Sequence, residues 1–215
     1  MKKGIIITLP RHDDVTEYLS VFSKEILEIA ESNNILCRKL FDKEANKENF
    51  ERVINKTNHK LIVFNGHGTE NSICGYADEP IVKEKANEQI LSDKITYART
   101  CDSASSLGHA SMQNNKGGCF IGYSLPFQFY CDETWKGNPA KDPVAPLFLE
   151  PSNLIPISII KGRTTSEAHF SSKKAILKNM KKALRRADSD SLAIAEALWN
   201  NYYGQTLIGN KKAEL

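Results

Sequence analysis

Apolar residues along this chain fall into two rhythms. Short unbroken runs, Gly4 to Leu9, Ile35 to Phe41, Leu61 to Phe64, Lys94 to Ala98 and Gly118 to Gly122, predict buried strands. Between them lie segments whose apolar positions recur every three or four residues. From Asp13, the positions Val15, Leu19, Phe22, Ile26 and Ile29 trace one face of a helix, with Asp13 or Asp14 as its cap. Phe50, Val53 and Ile54 predict a second helix, residues 84 to 91 a short third, and Leu107 with Met112 a fourth. Residues 72 to 82 read as a small hairpin, and Leu154 to Ile160 as a sixth strand. Strands alternating with helices at these lengths predict an α/β fold with a mostly parallel six-stranded sheet and helices on both faces. In such sheets ligands sit beyond the carboxyl ends of the strands.

Two stretches break the alternation. Residues 123 to 156 hold six of the eight prolines, together with Tyr123, Phe127, Phe129, Tyr130 and Trp135, and predict a functional or mobile connection, of which 123 to 140 are expected to border a groove. The tail predicts two helices within 166–204. Residues 171 to 186 carry five lysines, two arginines and no acid, and the second helix stops at Gly204. The whole, residues 1–215, reads as one domain with its core over about 1–165.

Composition narrows the class. With 40% hydrophobic and 26% charged residues the chain folds as an ordinary globule, and a net charge of +3 argues against a nucleic-acid partner. The apolar start ends at Leu9-Pro10, too short for a secretory core, and no later run is long enough for a bilayer. Five cysteines without a C-x-x-C pair fit a reducing cytoplasm better than a disulfide framework. His67, Cys74, Cys101 and His109 lack the spacing of a metal site, so neither metal nor organic cofactor is expected. His12, His59, His109 and His169 are read as surface or capping histidines.

Candidate chemistry sits at two strand ends. His67 lies between Gly66 and Gly68 just past the third strand, and Cys101 just past the fourth. A thiol attacks an amide as thiolate, which an imidazole or a helix N-terminus favours, and a helix beginning near Ser103 or Ser105 fits the second condition. Backbone amides of Gly68 and Cys101 fit a two-donor oxyanion hole.

Asn65-Gly66-His67-Gly68 after a strand, then 34 residues on Ala98-Arg99-Thr100-Cys101-Asp102-Ser103-Ala104 after another, resembles the His-Gly and Ala-Cys signatures of caspase-like cysteine peptidases. That clan includes caspases, metacaspases, gingipains and separase. The run Gly118 to Tyr123 is similar to its bacterial CHAT-domain members. The resemblance implies a three-layer α/β/α sandwich and a cysteine endopeptidase acting on protein substrates, with His67 and Cys101 as the dyad. It leaves any sensor or regulatory role to a separate protein. The caspase pentapeptide is absent, and Arg99 stands where relatives carry an aspartate. By the same resemblance Arg11, Arg99 and Tyr123 are expected to bind substrate, the two arginines preferring an acidic residue before the cut. The alternative is an inactive caspase-like interaction module.

Overall fold

The structure is a computed structural model that describes residues 4–115, 117–186 and 188–215; Met1 to Lys3, the basic start of the first apolar run, lie outside them. Its central sheet has six strands: β1 (Gly4–Leu9), β2 (Leu36–Phe41), β3 (Leu61–Asn65), β7 (Ile95–Arg99), β8 (Cys119–Tyr123) and β9 (Gln205–Gly209). Their order is β2-β1-β3-β7-β8-β9, every pair parallel except β8 with β9. A second, three-stranded antiparallel sheet of β4 (Gly68–Thr69), β5 (Ser72–Cys74) and β6 (Pro80–Lys83) grows out of the loop after β3.

Strands β1, β3 and β7 are buried throughout, so alternate residues feed two cores. Ile5, Ile7, Val63, Tyr97 and Ile121 face one core, closed by α2 (Lys24–Ser32) and α5 (Pro146–Ile160). Ile6, Ile62, Phe64, Ala98 and Phe120 face the other, closed by α3 (Lys47–Lys56), α4 (Leu107–Met112) and the small sheet. The result is the expected caspase-like α/β/α sandwich. Helices α6 (Thr165–Arg186) and α7 (Ser191–Gly204) pack with the start of α5 through Leu147, Phe148, Ile176, Ile194 and Leu198.

Two elements differ from the sequence pattern. Leu154 to Ile160 is not a strand but the second half of α5, in which 12 of 15 residues are buried. A helix buried all round loses its period, so a short apolar run cannot distinguish it from a buried strand. Pro151 and Pro156 lie inside it, and a proline leaves the carbonyl four residues back without its donor. For Pro151 that carbonyl belongs to Leu147, and the Asn179 side chain of α6 donates to it at 2.8 Å. The sixth strand is instead β9, antiparallel at the sheet edge.

The helix expected from Asp13 to Ile29 is two: α1 (Asp14–Phe22) and α2, divided at Ser23. The division faces Arg99. This residue ends β7, is 0% exposed, and makes hydrogen bonds only to neutral acceptors. Its guanidinium donates to Asn65 Oδ1 (3.0 and 2.6 Å), Ser152 Oγ (3.0 Å), Asn153 Oδ1 (2.9 Å), Leu19 O (2.9 Å) and Ser23 Oγ (2.8 Å). Asn153 in turn donates to Glu25 at 3.1 Å. Replacing Arg99 by methionine leaves several buried acceptors without a donor, each costing about 1–3 kcal/mol. Urea unfolding of Arg99→Met is expected to show a loss of at least ~3 kcal/mol with an unchanged slope; a loss within ~0.5 kcal/mol refutes the central role given to this residue.

Candidate functional site

Strands β1, β3 and β7 are neighbours and point the same way, so the segments after them converge at one edge. Asn65 and Arg99 are register partners; His67 and Cys101 each lie two residues further on. The loops touch. A Cβ placed on Gly68 would lie 2.9 Å from the Cys101 carbonyl oxygen and from Thr100 Cβ, so only glycine allows this approach. Gly66 has φ +147, and a Cβ there would lie 2.7 Å from the Cys74 carbonyl oxygen.

The imidazole of His67 is held by Asp13, with Nε2 2.6 Å from Oδ2. Asp13 is also the N-cap of α1: the backbone amide of Thr16 donates to its Oδ1 at 2.7 Å and the Thr16 hydroxyl at 2.8 Å. Burial raises the Asp13 pKa, but the bonds from the Thr16 amide, His67 and the Thr16 hydroxyl outweigh it, and the net shift is downward. The carboxylate is thus kept charged beside the ring. Sequence reasoning saw Asp13 as a cap only. The available signal was the β1–β3 adjacency, which brings whatever follows β1 beside whatever follows β3.

Cys101 is half-buried, and its thiol points at the carbonyl oxygen of Phe127, 3.9 Å away. The proline-rich connection therefore passes over the sulfur. That connection is pinned by α7: Asn201 accepts from the Gln128 amide (2.8 Å) and donates to the Gln128 carbonyl (2.6 Å), while Asn200 donates to the Pro126 carbonyl (2.7 Å). At its far end Asp142, 2% exposed, accepts from Tyr18 Oη and from the Asp132 amide, both at 2.8 Å.

The helix expected beneath Cys101 starts later. Residues 101 to 106 form bends and turns, and α4 begins at Leu107 with only six residues. Five residues separate Cys101 from α4, and burial, opposed by the bond to the Phe127 carbonyl and aided by the Asp102 charge, raises the Cys101 pKa above its ordinary value.

The expected substrate residues stand at this edge, but their side chains are engaged elsewhere. Arg99 is enclosed as described. Arg11 pairs with Glu17 and lies over the Phe41 ring, 5.2 Å from its centre, at the end of β2, which is separated from β7 by β1 and β3. Tyr123 is 1% exposed, its hydroxyl 3.4 Å from that of Tyr97 and 3.2 Å from the Gln205 amide nitrogen. Without solvent contact Arg99 cannot meet a substrate side chain, so the two-arginine pocket expected to prefer an acidic residue loses one of its cations. His12, read as superficial, is largely enclosed: its side chain is 12% exposed, its ring 6.0 Å from that of His67.

No family model matches the chain, and no curated protein matches it. Solved structures do. The crystal structure of the Arg-specific cysteine proteinase gingipain R (RgpB) matches over 99% of this chain with a TM-score of 0.57 and 13% identity. The complex of the Porphyromonas gingivalis RgpB pro- and mature domains matches over 97% with a TM-score of 0.55 and 11% identity. This chain spans 47% of the length of each matched chain. At such identities the likeness is one of fold, and it places the chain in shape beside gingipain-type members of the caspase-like clan. Neither structure is a CHAT-domain protease, so that finer likeness rests on residues 118 to 123 alone. Among the described residues, no helix is long and apolar enough to cross a membrane.

A raised thiol pKa means that the thiolate appears only at alkaline pH. The rate of Cys101 alkylation by iodoacetamide is expected to rise with a midpoint above that of a free thiol. Asp102→Asn, which keeps a residue tolerant of the φ +55 found there, moves the midpoint down. A midpoint at or below neutrality in the wild type contradicts the assignment.

Proposed function

We propose that this chain is a cysteine peptidase domain that cleaves peptide bonds of protein substrates through Cys101 and His67. The observation that supports the reading is that a carboxylate-held imidazole and a half-buried thiol each follow, by two residues, the ends of adjacent parallel strands. In this reading the Cys101 thiol gives its proton to His67, and sulfur bonds to the scissile carbonyl carbon. The oxyanion is met by the backbone amides of Gly68 and Cys101. Collapse breaks the C–N bond, His67 returns the proton to the leaving amine, and water hydrolyses the thioester. Asp13 keeps the ring oriented and stabilises the imidazolium between these steps. Substrate entry requires the Phe127 segment to leave the sulfur. No metal or organic cofactor takes part in this chemistry.

The raised pKa of the half-buried thiol is the one observation that favours the alternative, an inactive interaction module. One experiment separates the two. Labelling by peptide acyloxymethyl ketones and cleavage of an unbiased peptide library are expected for the wild type and lost in Cys101→Ala and His67→Ala. Equal labelling of all three refutes the dyad. Asp13→Asn is the sharper variant, because asparagine caps a helix as well as aspartate does. It is expected to keep the unfolding midpoint while lowering kcat by roughly 10²–10⁴-fold.

A further inference from the structure

Among the described residues, one group of His, Cys, Asp and Glu side chains brings three candidate metal-ligand atoms within 4.8 Å of one another: His12, His67 and Asp78. They come from three separate segments. His12 follows β1, His67 follows β3, and Asp78 sits in the turn between β5 and β6. His12 Nε2 lies 3.2 Å from Asp78 Oδ1 and 3.8 Å from Asp13 Oδ2, which itself lies 2.6 Å from His67 Nε2. Two imidazole nitrogens and the Asp78 oxygen thus surround one small volume, with the Asp13 carboxylate beside both imidazoles.

Packing holds the rings there. His12 lies edge-on between the ring of His67, at 6.0 Å, and that of Tyr76, at 5.6 Å. Among the described residues, its Nδ1 is buried without a hydrogen-bond partner, and Nε2 bonds within the cluster. Asp78 is 61% exposed and leaves the cluster open to solvent on one side, so an ion has a path in.

We propose that His12, His67 and Asp78 form a zinc site, with Asp13 beside its two imidazoles. Two imidazoles with carboxylate oxygens are a borderline-soft donor set that suits Zn²⁺, whereas Ca²⁺ and Mg²⁺ take oxygen ligands. A tetrahedral ion with Zn–N bonds of about 2.0–2.1 Å keeps its donor atoms roughly 3.3 Å apart, so the His12–Asp78 pair at 3.2 Å already has that spacing and His67 adjusts on binding. Since His67 is the base in the reading above, on which this step rests, zinc acts as a reversible inhibitor. A neutral imidazole has one lone pair, and once the metal holds it none is left to accept the proton of the Cys101 thiol.

The test reads binding without any substrate. The full chain is titrated with Zn²⁺ in competition with a fluorescent chelator, and with Co²⁺, whose four-coordinate complexes absorb strongly in the visible. Wild type and Cys101→Ala are expected to bind one ion equally. His12→Ala and Asp78→Ala are expected to lose affinity by at least about tenfold, with circular dichroism unchanged, and excess Ca²⁺ or Mg²⁺ leaves binding intact. Absence of binding, retention of full affinity in His12→Ala, or loss in Cys101→Ala alone overturns the site. Peptide cleavage is then followed with and without zinc. Binding without cleavage at any zinc level refutes the peptidase reading and the inhibition but leaves the metal site standing; cleavage without binding does the reverse.

Discussion

A guanidinium buried among neutral acceptors determines where the functional groups of this molecule stand. Arg99 closes β7, and through Asn65 it reaches β3; Asn65 in turn donates to the Thr8 carbonyl at 2.8 Å and accepts the Thr8 hydroxyl on its own carbonyl at 3.1 Å. The ends of β1, β3 and β7 are therefore one hydrogen-bonded unit. Asp13, His67 and Cys101 leave from those three ends within a few residues. Enclosing a cation is costly, and burial lowers the Arg99 pKa. The cost is offset because a rigid planar fork aligns five donors on acceptors from β3, the α1–α2 break and α5 at once. A hydrophobic replacement would pack the same volume but would not specify the angle at which these elements meet.

The same hub explains two features that look like defects in isolation. The break at Ser23 turns the Leu19 carbonyl and the Ser23 hydroxyl toward the guanidinium. The prolines of α5 reduce its internal bonding just where Ser152 and Asn153 aim side chains at Arg99. Asn179 repairs the bond that Pro151 removes, so the irregular helix is satisfied from its neighbour. Local rules are broken here in favour of a long-range one.

What the sequence shows and what it hides divide along physical lines. Strands β1, β3, β7 and β8 are legible because continuous burial on both faces leaves unbroken apolar runs. The glycines around His67 are legible because close approach to another backbone admits nothing larger. The second half of α5 is not, since a fully buried helix and a buried strand present the same Ile-rich text. Strand β9 is short and follows a helix without a turn signal other than Gly204. Arg99 is the least legible: at the end of a strand next to a candidate nucleophile, a cation suggests a pocket, and only the tertiary structure reveals that α1 and α5 roof it over. Asp13 was half-read, since a cap is visible in a linear pattern and a partner 54 residues away is not.

That double service of Asp13 couples two properties usually treated apart. The first turn of α1 and the orientation of the His67 ring share one carboxylate, so they form a single cooperative unit. Any excursion that frays this turn also frees the ring, and the time the imidazole spends in place cannot exceed the time the turn stays closed. The integrity of a surface helix end thereby sets an upper limit on how often this imidazole is held in one orientation.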